Sequence, residues 1–296
     1  MSNQKTMSEQ KWTAKSRGNP LGYRIFIFFV KHFGLRFAYA NLLYVAPYFI
    51  PFAPQATKAV WYYYRRILHY GVPKSMWSVY LHYFRFGQCL IDKMAIQHGL
   101  KDKFRYTFDN YEAFLDVLNA GKGAVLIGAH VGAWQMSASF FGNYGRKMHV
   151  VLVDKEYEQL KKYVDFRERA FHVIPINKTD VLDTMLTIKK ALNAGEYICL
   201  QGDRYTNDEH TLEADFMGRA ADFPEGPFLL ASRLRVPVVF FYSLRENGGY
   251  TFKFVIVETG CTRCDKYDLL AQYVNSLEQV VRAHPQMWFN FYQFWK

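Results

Sequence analysis

A central, largely parallel or mixed β-sheet flanked by helices, behind an apolar helical N-terminal region, is the α/β fold that this sequence predicts. Three observations predict it. From about residue 106 short β-rich runs alternate with helical candidates, the pattern of strands joined by crossover helices. No repeat, low-complexity tract or Pro/Gly/Ser linker divides that region. A chain of 296 residues that is 50% hydrophobic and 18% aromatic can bury a large core without needing a second folded domain beyond an N-terminal extension.

Taken in order, residues 1–18 are polar and are expected to be a disordered tail. Residues 19–105 form a basic, aromatic-rich region expected to be helical. Its apolar runs are Ile25 to Val30, Phe37 to Pro54 and Trp61 to Tyr64, the last followed by Arg65 and Arg66. Arg24, Lys31 and His32 interrupt the first run and Asn41, Pro47 and Pro51 the second, so interfacial or re-entrant helices are expected rather than spanning ones. The polar start and the lack of a small-residue cleavage pattern argue against a secretory signal. Residues 106–296 form the α/β domain, with strands expected at Ala124 to Ile127, His149 to Val153, His172 to Ile176, Tyr197 to Leu200, Val236 to Tyr242 and Thr251 to Val257. Helices are expected from Trp134 to Phe141, from about Asp180 to Ala194 before a Gly195 stop, and from Lys266 to Ala283 before Pro285. The aromatic tail Trp288 to Trp295 either caps the core or lies on a bilayer.

Charge is distributed unevenly. Residues 1–105 hold 16 Lys and Arg against Glu9, Asp92 and Asp102, a surplus of +13, whereas the whole chain carries +11. Basic residues edging apolar runs suit an anionic membrane surface. Nucleic acid ranks well below it, because the charges alternate with long greasy runs. Cys89 and Cys199 read as buried thiols, and Cys261 to Cys264, a lone C-x-x-C without a second pair or a nearby histidine, reads more readily as two incidental thiols in a connecting loop than as a zinc or redox site.

The segment Gly128-Ala-His-Val-Gly-Ala-Trp-Gln135 carries the chemistry. It places His130 directly after an apolar strand, where an imidazole can act as a general base at the open end of a sheet, and Gly128 and Gly132 allow a tight turn and a close substrate approach. Positions five apart on a continuous helix point about 140° away from each other, so His130 and Gln135 meet only across a turn. From spacing alone, such a histidine is more often structural than catalytic.

His130-Val-Gly-Ala-Trp-Gln135 resembles the His-x-Gly-Asn-Trp-Glu block of the lipid A late acyltransferases, a branch of the lysophospholipid acyltransferase superfamily, with Gln135 where that branch has an acid. Blocks in the same order extend the resemblance: Gln201-Gly-Asp-Arg204, Phe216-Met-Gly218, Gly226-Pro227, Arg235 to Val239 and Pro285 to Trp288. Phe223-Pro-Glu-Gly226 also resembles a glycerol-phosphate acyltransferase block, but Gly202-Asp203-Arg204 lies nearer the expected spacing after the histidine.

The resemblance implies a lysophospholipid-acyltransferase-like domain, with His130 and Gln135 catalytic and Gly132, Trp134, Asp203, Arg204 and Gly218 binding substrate. The donor would be an acyl thioester on acyl carrier protein or coenzyme A, and the acceptor a lipid A, aminolipid or polyene type of lipid. An acidic carrier protein would suit the basic N-terminal third. No cofactor beyond the carrier's pantetheine arm is expected, and the place of action would be the cytoplasmic face of a bacterial inner membrane. A monomer is the default. Three outcomes stay open for Gln135: a slow enzyme, an enzyme that takes its charge from another carboxylate, or an inactive lipid-binding or acyl-binding relative.

Overall fold

A computed structural model describes residues 20–97, 99–134, 147–153, 171–176, 181–205, 209–257 and 265–296. Three helices lead. α1, Pro20–Phe52, is two helices merged across a kink at Gly34, whose φ of 79° is left-handed and breaks the helical path. α2, Pro54–Tyr62, begins on a proline and runs into a π-helical turn, Tyr63–Ile67. α3, Val72–Gln97, follows, and then the short edge strand β1, Tyr106–Asp109, and helix α4, Tyr111–Asn119.

The sheet strands are β2 Ala124–Gly132, β3 Met148–Val153, β4 Phe171–Ile176, β5 Tyr197–Gln201, β8 Val238–Glu246 and β9 Gly249–Ile256. Together with β1 they form a seven-stranded sheet in the order β1-β9-β8-β2-β5-β3-β4. β8, β2, β5, β3 and β4 are parallel, and β9 and β1 run the other way. Helix α5, Val181–Asn193, ends two residues before Gly195, and α6 and α7 are Glu225–Leu234 and Lys266–Ala283. A separate hairpin pairs β6, Thr211–Phe216, with β7, Arg219–Pro224.

Strand alternation sorts the core into two layers. Val125, Ile127, Ala129 and Val131 of β2 pack with Leu269, Tyr273 and Leu277 of α7. Ala124 and Leu126 pack on the other face with Phe114 of α4, Cys89 and Ile91 of α3, and Ala38 and Leu42 of α1. Cys89 and Cys199 are buried thiols, as the sequence predicts, and burial pushes the Cys89 thiol up to about 12. Cys261 and Cys264 lie outside the described residues.

All six expected strands are present, along with three that the pattern does not predict, β1, β6 and β7. The helix expected from Trp134 to Phe141 falls, beyond Trp134, outside the described residues, and so does the tail over 1–18. The C-terminal aromatic run caps the core, with Trp288, Phe289, Phe294 and Trp295 all buried.

A buried network missed in the sequence ties the helical region to the sheet. Asp92 of α3 accepts from Arg245 Nε of β8 at 2.8 Å and from the hydroxyls of Tyr39 in α1 and Tyr250 in β9. Asp92 is fully buried, so each donor offsets part of the cost of desolvating its charge.

Candidate active site

β2 does not stop before His130, as the apolar run suggests, but continues through it to Gly132. What ends the regular ladder is a register shift against β8 between Gly128 and Gly132. Gly128 pairs in register with Gln201 and is strand rather than turn, which corrects its expected role. Gly132 is the turning point: its φ is 59°, and a Cβ there would lie 1.9 Å from the Ser243 carbonyl oxygen. That close approach lets Ala133 N–H donate to Ser243 O at 3.1 Å, which pins the bulge that aims His130.

The site sits where the chain connections diverge. The connection leaving β2 leads to β3 on one side of the sheet, and the connection leaving β5 leads to β8 on the other, although β2 and β5 are neighbours. The junction between their carboxyl ends is therefore a topological switch point, the usual ligand position in an open α/β sheet. His130 stands near the end of β2 and Asp203 and Arg204 just past β5, so the two strand ends meet at this point.

Asp203 grips His130 twice. Its Oδ1 lies 2.7 Å from His130 Nδ1, and its Oδ2 accepts the His130 backbone N–H at 2.8 Å and the Trp288 indole N–H at 3.1 Å. An ionised carboxylate only accepts, so Nδ1 carries the proton and Nε2 is the ring nitrogen with the lone pair. Burial and then the Arg204 guanidinium hold His130 below the usual imidazole range, outweighing the opposing pull of Asp203. Burial also opposes the charge of Asp203, but His130 and Arg204 prevail and keep the carboxyl below its usual range. The resting pair is a neutral imidazole hydrogen-bonded to a carboxylate. The imidazole side chain retains 9% exposure, against 1% for Asp203, so the ring is the more accessible member of the pair.

The other expected residues divide. Trp134 packs edge-on against the imidazole, with ring centroids 5.0 Å apart. Arg204 donates from Nη2 to the Phe289 carbonyl at 2.6 Å, and the Tyr292 hydroxyl donates to the Asp203 carbonyl at 3.2 Å. Gly218 belongs to the two-residue turn of the β6–β7 hairpin, where it and Met217 both have positive φ and its N–H donates to Asp215 Oδ1 at 2.9 Å. Gln135 lies outside the described residues. Among the described residues no group of three or more His, Cys, Asp and Glu side chains could hold a metal ion.

Trp288, Phe289 and Tyr292 were not expected at this site. Their sequence signals are the Pro285 to Trp288 block, for Trp288 alone, and the aromatic tail Trp288 to Trp295.

These features define a class, an α/β protein with a buried histidine–carboxylate pair at the switch point of its sheet. Residues 76–296 match the family model described as bacterial lipid A biosynthesis acyltransferase, and the chain belongs to that family. No curated protein matches it.

Proposed function

We propose that the chain moves a fatty acyl group from an acyl thioester, on acyl carrier protein or coenzyme A, to a hydroxyl or amine of lipid A or a related lipid, with His130 as general base. The observation that carries this reading is the 2.7 Å contact between Asp203 and His130 Nδ1. Nε2 would take the proton of the acceptor as its oxygen or nitrogen attacks the thioester carbonyl. Collapse of the tetrahedral intermediate would expel the thiolate, which recovers that proton from the imidazolium. Asp203 would stabilise the imidazolium and so supply the charge that Gln135 lacks relative to the late-acyltransferase branch. Arg204 would add a cation for a phosphate on donor or acceptor, and Gly132 and Trp134, the latter packed on the imidazole, would contact substrate.

The reading includes association with the cytoplasmic face of a bacterial inner membrane. Among the described residues no helix is long and apolar enough to cross a membrane. Support comes instead from exposed apolar side chains, Leu43, Tyr44, Tyr48 and Phe52 on α1 and Met76 and Trp77 on α3. Exposed Arg36, Lys58, Arg66 and Lys74 border them in sequence and suit anionic headgroups.

The test is thioester consumption and acyl-lipid formation by purified protein, with acyl carrier protein and acyl-coenzyme A as donors and a panel of lipid acceptors. Turnover that disappears in His130→Ala is expected. Equal rates in the two proteins would defeat the catalytic reading and leave a lipid-binding protein.

A further inference from the structure

We propose that Trp288 is a positioning residue of this site: its indole N–H holds Asp203 in the orientation that fixes the His130 tautomer, so the C-terminal segment completes the active centre as well as closing the core. The inference rests on the reading of His130 and Asp203 as the reacting pair.

A carboxylate free to rotate could present either oxygen to the imidazole or turn away from it. Here Oδ2 is held from two sides, by the His130 backbone N–H at 2.8 Å and by Trp288 Nε1 at 3.1 Å, and Oδ1 is left facing Nδ1. Indole only donates, so this contact favours the ionised carboxylate.

The tryptophan is itself immobilised. Its side chain is fully buried and meets Tyr63, Phe216, Phe294 and Trp295 edge-on, with centroids between 5.1 and 5.6 Å away. Its backbone is tied to the end of β2, because Gly132 N–H donates to Met287 O at 2.7 Å, Phe289 N–H donates to His130 O at 3.0 Å, and Val131 and Trp288 form an antiparallel bridge. Arg204 grips the same segment at Phe289 O, 2.6 Å away. A tryptophan kept only for packing needs some acceptor for its N–H. This one takes the carboxylate that orients the base.

The other charged or titratable groups facing the pair are Arg204, Tyr242 of β8, Tyr273 of α7 and Tyr292 of the tail. Removing the indole donor makes the carboxylate more basic, which raises the apparent pKa of the pair and moves the acid limb of kcat/KM to higher pH.

The experiment compares Trp288→Phe, which keeps an aromatic ring but loses the N–H, with Phe294→Leu, which loosens the same cluster without touching a hydrogen bond to Asp203. Three quantities are followed in each full-length protein: steady-state kinetics, the pH profile of kcat/KM, and the downfield NMR signal of the His130 ring proton, assigned by its loss in His130→Ala. Trp288→Phe is expected to lower kcat on the order of 10-fold with KM held within about twofold, to move the acid limb upward, and to shift or broaden the ring-proton signal. Phe294→Leu is expected to lower the melting temperature and leave the other three quantities in place. A Trp288→Phe protein with parental kcat, pH profile and ring-proton signal would overturn the proposal, and so would a Phe294→Leu protein that reproduced all the changes. The NMR signal belongs to the resting protein. Lack of turnover in the parent would therefore count against the acyltransferase reading, whereas an unmoved signal in Trp288→Phe would count against the role of the tryptophan.

Discussion

At the scale of single residues, the division of labour around His130 follows from which atoms are already engaged. Nδ1 faces Asp203, so in the proposed reaction proton transfer would fall to Nε2, and the ring is neutral because burial and Arg204 hold its pKa down. A base whose pKa is held below the ordinary imidazole value stays neutral, and so competent, through neutrality. kcat/KM is accordingly expected to be flat near pH 7 and to fall only below the ordinary imidazole range, and an acid limb at or above neutrality would contradict this assignment. Two arginines give a second comparison. Arg204 lies just past β5, next to Asp203, and braces Phe289, whereas Arg219 is an exposed residue whose Nη1 donates to the Tyr62 hydroxyl at 2.6 Å. Arg204→Ala should lower kcat/KM by about 10-fold or more and Arg219→Ala by less than about twofold, on the ordinary worth of a charge-assisted hydrogen bond at a half-buried site against one at the surface. Matched values would remove Arg204 from the site.

At the scale of elements, the bulge at the end of β2 is the device that aims the histidine. Gly132→Ala would force a Cβ against the Ser243 carbonyl in a left-handed conformation that already disfavours any side chain. A loss of ~3 kcal/mol or more in unfolding free energy is expected, together with loss of activity, measured by urea denaturation and turnover. The N-terminal helices allow a second test. Truncation through residue 66 would strip Val60, Tyr63 and Tyr64 from the core, so a membrane role is better read from surface substitutions. Replacing Leu43, Tyr44 and Phe52 by Asp leaves the inward-facing Ala38, Leu42 and Ala46 untouched, and should abolish sedimentation with anionic vesicles while preserving the melting transition. Unchanged sedimentation would detach α1 from the membrane reading.

The strands and helices that show in the sequence are those with continuous apolar runs or clear stops. β2, β3, β4, β5, β8 and β9 are such runs, and the helix Lys266–Ala283 has the predicted bounds because Pro285 closes it. β1 is only four residues long and largely exposed, and β6 and β7 carry Glu213, Asp215 and Asp222 within short strands joined by a Met217–Gly218 turn, so neither hydrophobicity nor turn composition marks them. The site divides in the same way. His130, Trp134, Asp203 and Arg204 are legible from local motif and strand position. The bond between Asp203 and His130 is not, because it depends on β5 lying beside β2, a strand order that sequence proximity does not specify. Trp288 is further away still, reaching Asp203 from a separate segment 85 residues on.

At the scale of the whole molecule, the tail, the first helices and the sheet share one aromatic and polar interior, and its buried ionisable groups give the fold a pH dependence. His82 of α3 is fully buried, accepts or donates at Nδ1 with the Tyr64 hydroxyl, and is pushed by burial from 6.5 down to about 3. The unfolded chain protonates first as pH falls through that interval, so stability declines from pH 6.5 toward about 3, by up to ~1.4 kcal/mol per pH unit from this group. His82→Phe preserves the ring contacts to Phe289 and Phe291, and Tyr64 keeps its hydrogen bond to the Pro285 carbonyl. That variant should flatten the acid slope of urea-denaturation stability, and an unaltered slope would assign the acid sensitivity elsewhere.

The central claim is that Asp203 orients and charges the base. The most direct measurement is the single-turnover rate of acyl transfer in Asp203→Asn beside the parent, at saturating donor and acceptor. The substitution keeps the size of the side chain and removes the charge that would stabilise the imidazolium. A fall on the order of 10⁴, as seen when the orienting aspartate of a serine-protease triad is replaced by its amide, with substrate affinity held, is the result this arrangement predicts. A folded Asp203→Asn protein transferring acyl groups within about threefold of the parental rate would contradict it.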